Sequence, residues 1–215
     1  KRTQLASVAR LDALGARGSL GRSFDIADIA GVIDGIKPAA IVAPALSFRN
    51  KKDRVAYERV LKQLGLESLP VDDTAGWNAI IAKDSTILEE LRRAVVAVDA
   101  LFQKSIAAGA NEHGGFEISD KDEKTIGRLL GYPKTATVFF IRRMRSLSTP
   151  DELPITESRL TDNRRFFEQL ILSPEHYDEE VRAYITPLER AAHELIPKTY
   201  ARIVEEGLRL EAQEK

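Results

Sequence analysis

The sequence predicts a helix-dominated α+β protein, with a small three-stranded sheet in its N-terminal half and an all-helical C-terminal half. Two patterns support this class. Short apolar runs typical of strands occur between residues 38 and 83, whereas apolar residues spaced three and four apart, as in amphipathic helices, dominate elsewhere. We therefore expect an α/β part, residues 1–110, and a helical part, residues 111–215, which could still form one continuous domain.

The three predicted strands cover residues 39–43, 66–71 and 78–82. The first is a non-alternating apolar run, which is typical of a strand covered on both faces. The turn at residues 72–76 lies between the second strand and the third, and a connection this short favours an antiparallel hairpin.

Helices surround these strands. Residues 1–22 predict a short helix and a loop, because Gly15, Gly18 and Gly21 would each weaken a helix interior. A second helix is expected from about Ser23 to Gly35, with Ser23 or Asp25 as its capping residue. Further helices are predicted at residues 51–64, with Val55, Val60, Leu61 and Leu64 facing inward, and at residues 85–108.

The helix at residues 85–108 has the most regular apolar pattern in the chain. Its stripe consists of Leu88, Leu91, Val95, Val98, Phe102 and Ile106. We expect the central residues of this stripe, from Leu91 to Phe102, to be almost fully buried.

Helical patterns continue in the C-terminal half. The predicted helices cover residues 119–130, 133–147, 163–172, 174–185 and 187 onward, with a loop at residues 148–163. Gly131 is expected to end its helix in a left-handed conformation, and Pro197 to kink or interrupt the last helix.

Composition excludes several classes of protein. The net charge of −1 argues against a broadly basic nucleic-acid-binding protein, although a local basic face remains possible. The absence of cysteine excludes disulfides, thiolate zinc sites and cysteine nucleophiles. No apolar run is long enough for a membrane span, and no phosphate-binding glycine motif occurs, so we expect a cytoplasmic protein without membrane association or a cofactor.

Histidine is scarce, and no metal site is predicted. His113, His176 and His193 each lie beside a glutamate, but no two have the spacing of a helical zinc site. His113, which two glycines follow, is the one histidine that we retain as a candidate for catalysis.

Polar residues follow the first and third predicted strands. Arg49 and Lys52 come after the first strand, and Lys83 and Ser85 come after the third. If these strands are parallel neighbours, all four residues gather at the carboxyl ends of the strands, beside two helix N-termini, where α/β sheets bind anionic ligands. The alternative is that these residues cap helices at a solvated rim.

Residues 119–147 have the layout of a helix-turn-helix. Gly127 lies four residues before the turn glycine, Gly131, where a small side chain lets the two helices approach closely. The second helix would then place Arg142, Arg143 and Arg145 on nucleic acid, together with Arg128 of the first. Against this, Thr137 stands where the motif has an apolar residue, and the apolar run at residues 138–141 suits a core.

The same region carries a second resemblance. The string Ile126-Gly127-Arg128-Leu129-Leu130-Gly131-Tyr132-Pro133, followed by Phe140, resembles an uncharacterised prokaryotic family with a Leu-Gly-Tyr-Pro-x-Cys-Cys-Val-x-x-Phe signature. This chain has Thr135 and Ala136 in place of the cysteine pair. The resemblance implies that any chemistry of those thiols is lost here, and it supplies no established activity.

The sequence therefore favours a binding or regulatory protein whose partner is a small anionic ligand or another protein. Two alternatives stay open. One is a helix-turn-helix nucleic-acid-binding protein, and the other is a small enzyme that acts on an anionic substrate at the sheet rim, for which no catalytic groups are evident.

Overall fold

A computed structural model describes residues 2–44, 48, 50–71, 79–108, 119–146 and 172–213. The described elements are α1 (Arg2–Ala16), α2 (Leu20–Asp34), β1 (Ala39–Val42), α3 (Lys51–Gln63), β2 (Glu67–Pro70), β3 (Ala79–Ala82), α4 (Ser85–Ala107), α5 (Asp120–Leu129), α6 (Lys134–Ser146), α7 (Tyr177–Glu180), α8 (Thr186–Leu195) and α9 (Pro197–Gln213). A π-helical segment, Val181–Ile185, joins α7 to α8. The predicted class, a helix-dominated α+β protein with a small sheet in its N-terminal half, is confirmed.

The sheet has the strand order β1-β3-β2, and both pairings are antiparallel. Ala39 of β1 lies opposite Ala82 of β3, and Val42 lies opposite Ala79. The predicted antiparallel pairing of β2 with β3 is confirmed, while its turn, residues 72–76, lies outside the described residues.

Helices cover both faces of this sheet. Ala40 and Ile81 face a core that includes residues of α1, α2, α3, α8 and α9. Ala39 and Ile80 face a second core, which α4 and α5 complete. Coverage on both faces is the reason why β1 and β3 lack the apolar–polar alternation of a half-exposed strand.

The first two helices differ from the prediction. The second helix begins at Leu20, not at Ser23, and Ser19 caps it by accepting a hydrogen bond from the backbone N–H of Arg22. Ser23 is buried instead, and its hydroxyl donates to the carbonyl of Gly15. Gly15 lies within α1, and Thr199 of α9 occupies the space that a side chain at this position would need.

The apolar stripe of α4 is buried over its N-terminal half only. Leu91 is completely buried and Val95 is partly buried, but Phe102 is 42% exposed and Ile106 is 45% exposed. The prediction of almost complete burial is therefore wrong for Phe102, and Val95 and Val98 are only partly buried. In the described residues, the core formed by β3 and α5 reaches Leu88, Leu91 and Val95 of this helix.

The chain is helical from Tyr177 to Leu195, so the break predicted between residues 185 and 187 is wrong. Pro187 has no N–H, and its ring would clash with the carbonyl one α-helical turn earlier. The π-helical segment widens this turn, since the N–H of Thr186 donates to the carbonyl of Val181, five residues earlier. Pro197 does interrupt the helix as predicted, because α8 ends at Leu195 and α9 begins at Pro197.

Helices from both predicted parts of the chain share one core. In the described residues, α9 packs on α1 and α2, and α8 packs on α2. The boundary predicted at residue 110 lies in an interval that the structure does not describe, as do the predicted loop at residues 148–163 and most of the helix at residues 163–172. No described helix is both long enough and apolar enough to cross a bilayer.

Candidate functional site

The sheet does not have the parallel arrangement on which the predicted anion site depends. Because β1 and β3 are antiparallel, their carboxyl ends lie at opposite edges of the sheet. Lys83 donates from Nζ to the carbonyl of Ile33, near the C-terminus of α2. Lys52 belongs to α3, and the first turn of α3 contacts Arg22, near the N-terminus of α2. Eleven residues of α-helix separate Arg22 from Ile33, a rise of about 17 Å. The sheet therefore does not gather Lys52 with Lys83 and Ser85, and Arg49 lies outside the described residues.

The N-terminus of α4 already holds a carboxylate. Asp84 accepts a hydrogen bond of 2.7 Å from the backbone N–H of Thr86. This bond lowers the pKa of the Asp84 carboxyl below its ordinary value. An anionic ligand beside Lys83 and Ser85 would meet this negative charge, so the structure does not favour that half of the predicted site.

The inner side of α3 is fixed to the rest of the molecule. Arg22 of α2 forms an ion pair of 2.9 Å with Asp53 in the first turn of α3, and its guanidinium lies 4.6 Å from the ring centre of Phe48. Phe48 stacks on Tyr57, with their ring centres 4.2 Å apart. Burial raises the pKa of the Tyr57 phenol, so this residue is a neutral part of the packing. These contacts hold the helix in one orientation.

The outer side of α3 is strongly basic. The helix has five basic and two acidic residues, a net charge of +3 in a chain whose total is −1. Asp53 pairs with Arg22, and Glu58 pairs with Arg54 at 3.3 Å. Four exposed basic residues form no ion pair with a described carboxylate: Lys51, Lys52, Arg59 and Lys62.

These four residues lie on one side of the helix. At 3.6 residues per turn, all four project within an arc of about 100°. Val55 lies inside the same arc and is 45% exposed. We call Lys51, Lys52, Val55, Arg59 and Lys62 the basic face. Its four cations form no ion pair with a carboxylate of the described chain, so the face can attract an anionic partner.

The predicted corner between α5 and α6 has the expected backbone. Gly131 has a φ of 78°, which confirms the left-handed end of α5. The close approach predicted at Gly127 is also confirmed, because a side chain there would overlap Thr137 of α6. The hydroxyl of Thr137 donates to the carbonyl of Pro133 at 3.2 Å, which lets a polar residue occupy this buried position.

The structure places the predicted nucleic-acid-binding residues in different settings. Arg128 forms an ion pair of 2.5 Å with Glu90 of α4. Arg142 is exposed on α6, while Arg143 and Arg145 lie in the same helix with side chains outside the described part. The first turn of α5 carries Asp120, Asp122 and Glu123, and these carboxylates would repel a phosphate backbone.

An ion pair of a buried lysine with a partly exposed aspartate, which the sequence analysis missed, lies beside this corner. Lys37 is 3% exposed, and its Nζ lies 2.5 Å from a carboxylate oxygen of Asp28. The ring centre of Tyr132 is 5.7 Å from that Nζ, and Tyr132 meets Tyr184 edge to face. Burial and the charge of Asp28 raise the pKa of both phenols. Only the position of Lys37 between a helix-ending glycine and Pro38 is unusual in sequence, and that signal does not identify its partners.

No family model, no curated protein and no solved structure was found to match the chain. The resemblance to the uncharacterised prokaryotic family therefore stays a prediction, and the geometry alone must support a function.

Neither the Lys37–Asp28 pair nor the described histidines form an evident catalytic or metal-binding site. Asp28 and Tyr132 already occupy the surroundings of the Lys37 amine, which favours a structural role. His176 lies 3.6 Å from Glu179 on the surface, and His113 lies outside the described residues. Within the described ranges, no group of three or more acidic or histidine side chains could hold a metal ion.

Proposed function

We propose that this protein is a binding protein and that it holds an anionic partner on the basic face of α3. The observation that carries the proposal is the set of four exposed cations, Lys51, Lys52, Arg59 and Lys62, none of which pairs with a described carboxylate. The proposal agrees with the prediction of an anionic ligand but places the site on the surface of α3 instead of at the rim of the sheet. Of the four residues predicted at the rim, only Lys52 belongs to the basic face.

The attachment of α3 supports this function. Asp53 is held by Arg22, and Tyr57, Val60 and Leu61 are buried on the opposite side of the helix. The charged side chains therefore extend from a backbone that does not need to be ordered when the partner binds, which reduces the entropic cost of binding. The residues of the face are exposed cations and one valine and do not pair a nucleophile with a base, so binding is favoured over catalysis.

Neutralising two cations of the face tests the proposal. We expect Lys52→Gln with Arg59→Gln to elute from a heparin column at clearly lower salt than the parent, because fewer counterions are exchanged. Arg93→Gln with Arg190→Gln removes the same charge from exposed positions on α4 and α8 and is the matched control. A parent that passes through the column at low salt, or a control that loses as much retention, would contradict the proposal.

The helix-turn-helix is a second candidate, favoured by the close packing of Gly127 on Thr137 and by the exposure of Arg142. It ranks second because Arg128 is paired with Glu90 and because the first turn of α5 is acidic. A gel shift at about 0.15 M salt separates the two candidates. DNA binding that Arg142→Ala with Arg145→Ala abolishes, and that Lys52→Gln with Arg59→Gln leaves intact, would reverse this ranking.

A further inference from the structure

We infer that the partner on the basic face is an acidic protein segment that carries an apolar side chain among its carboxylates. This inference rests on the proposed function and concerns the chemistry of the same face. Its basis is Val55, which is 45% exposed and lies between cations instead of at the edge of the charged surface.

Val55 has cations of the face on either side of it around the helix. Taken at 100° per residue, its direction falls between that of Lys62 and that of Arg59. A partner that contacts both cations must also cover this valine and remove it from water. A phosphate backbone or a small inorganic anion would bring only polar atoms to the valine, whereas a protein segment can place a leucine or valine there.

The face also lacks the features that favour nucleic acid. Single-stranded nucleic acid binds to exposed aromatic rings on which its bases stack. The aromatic residue of α3, Tyr57, is buried on the opposite side of the helix, where it stacks on Phe48.

The length of the face limits the size of the contact. From Lys51 to Lys62 the helix rises about 17 Å, which corresponds to about eleven residues of a partner helix or about five residues of an extended strand. Such a contact is smaller than a standard protein–protein interface, so we expect weak and reversible binding that added salt reduces.

Fluorescence anisotropy with three labelled probes tests the inference. The first is a peptide of about twelve residues that alternates glutamate with glycine, and the second has leucine in place of its central glycines. The third is an oligothymidylate of similar charge. We expect the leucine peptide to bind the parent about threefold more tightly than the glycine peptide, since it covers the exposed part of Val55.

The variants assign this gain to Val55. Val55→Ser should lower the affinity for the leucine peptide about threefold and leave the affinity for the glycine peptide unchanged. Val55→Ala, which favours the helix, should give the same pattern and guards against a loss of folding. Lys52→Gln with Arg59→Gln should weaken both peptides, and Arg93→Gln with Arg190→Gln should weaken neither.

The possible failures can be told apart. Equal affinity for the two peptides, or Val55 variants that weaken both peptides equally, would overturn the inference about an apolar partner residue and leave the proposed function intact. Oligothymidylate binding tighter than that of either peptide, insensitive to Val55, would overturn it in favour of nucleic acid. Absence of binding to all three probes at low salt would contradict the proposed function itself.

Discussion

In the described residues, three glycines have positive φ angles, and Gly131 differs from the other two in its surroundings. Gly35 and Gly65 have open space where a side chain would project. At Gly131 a Cβ atom would lie 3.0 Å from the carbonyl oxygen of Ile36 and 3.3 Å from the Cα of Lys37. The corner between α5 and α6 therefore rests directly on the backbone that leads from α2 into β1.

This difference predicts unequal costs for two glycine substitutions. Gly35→Ala should destabilise the fold by about 1 kcal/mol, because it introduces left-handed strain alone. Gly131→Ala should cost more, about 2 kcal/mol, because rigid backbone must also move to admit the methyl group. Urea unfolding of both variants measures the difference. Equal destabilisation by the two substitutions would show that the backbone around Gly131 shifts at no extra cost to admit the methyl group.

The Lys37–Asp28 pair predicts a second asymmetry at the scale of single residues. The Lys37 side chain is 2% exposed and that of Asp28 is 32% exposed. Asp28→Ala leaves a buried ammonium without its partner and should cost about 3 kcal/mol. Lys37→Met leaves a carboxylate that water can reach and should cost about 1 kcal/mol or less.

Thermal or urea unfolding of the two single variants and the double variant checks this asymmetry. The double variant should recover most of the stability that Asp28→Ala loses, because neither charge remains buried. A Lys37→Met variant that is as unstable as Asp28→Ala would show that the packing of the lysine chain over Gly31, and not its charge, stabilises the site.

At the scale of elements, local patterns predicted most helices and strands, but not which surfaces they cover. The stripe of α4 is one regular pattern from Leu88 to Ile106, yet burial decreases along it, because burial depends on what packs above each turn. The direction of β1 relative to β3 likewise depends on pairing between segments that are distant in the chain. The predicted anion site at residues 49–85 assumed that these two strands are parallel, whereas they are antiparallel.

The basic face and the Lys37 ion pair differ in how far the sequence alone reveals them. The basic residues of α3 are close together in the chain, and a helical reading of residues 51–64 correctly places Val60 and Leu61 inward. The same reading also places Val55 inward, which is wrong, since Val55 is 45% exposed on the basic face. The Lys37 site, in contrast, joins residues 28, 37, 132 and 184, which only the tertiary fold brings together. No spacing rule connects these positions.

Burial decreases along α4, and we therefore expect the smaller Leu91 side chain to contribute more to the stability of the fold than the larger Phe102 side chain. Leu91→Ala should cost about 2–5 kcal/mol, because Leu91 is fully buried. Phe102→Ala should cost less than about 2 kcal/mol, since Phe102 is 42% exposed. Chemical denaturation of both variants gives the order. A larger loss for Phe102→Ala would mean that this part of the helix is covered more fully than the described residues indicate.

At the scale of the whole molecule, the two ends of the described chain close on each other. Asp12 of α1 accepts a hydrogen bond of 2.7 Å from the backbone N–H of Thr199 and another from that of Lys198, at the start of α9. The hydroxyl of Thr199 donates to the backbone carbonyl of Asp12 at 2.8 Å. A carboxylate from α1 therefore performs the N-capping role that a residue just before α9 would usually have.

This long-range cap predicts that α1 and α9 lose stability together. Asp12→Ala should destabilise the protein by about 1–2 kcal/mol, because it leaves two backbone N–H groups of α9 without their acceptor. Asp12→Asn is the matched control, since its amide oxygen can still accept a hydrogen bond and it should lose less than half as much.

Native-state hydrogen exchange shows whether the loss is shared. If α1 and α9 belong to one cooperative unit, the amides of Leu11 and Ile203, both in the main core, should lose protection by the same free energy in Asp12→Ala. Loss confined to Ile203 would show that the C-terminal helices unfold as a separate unit, as a boundary at residue 110 predicts. Equal loss at both ends would instead favour the continuous domain that the same prediction left open.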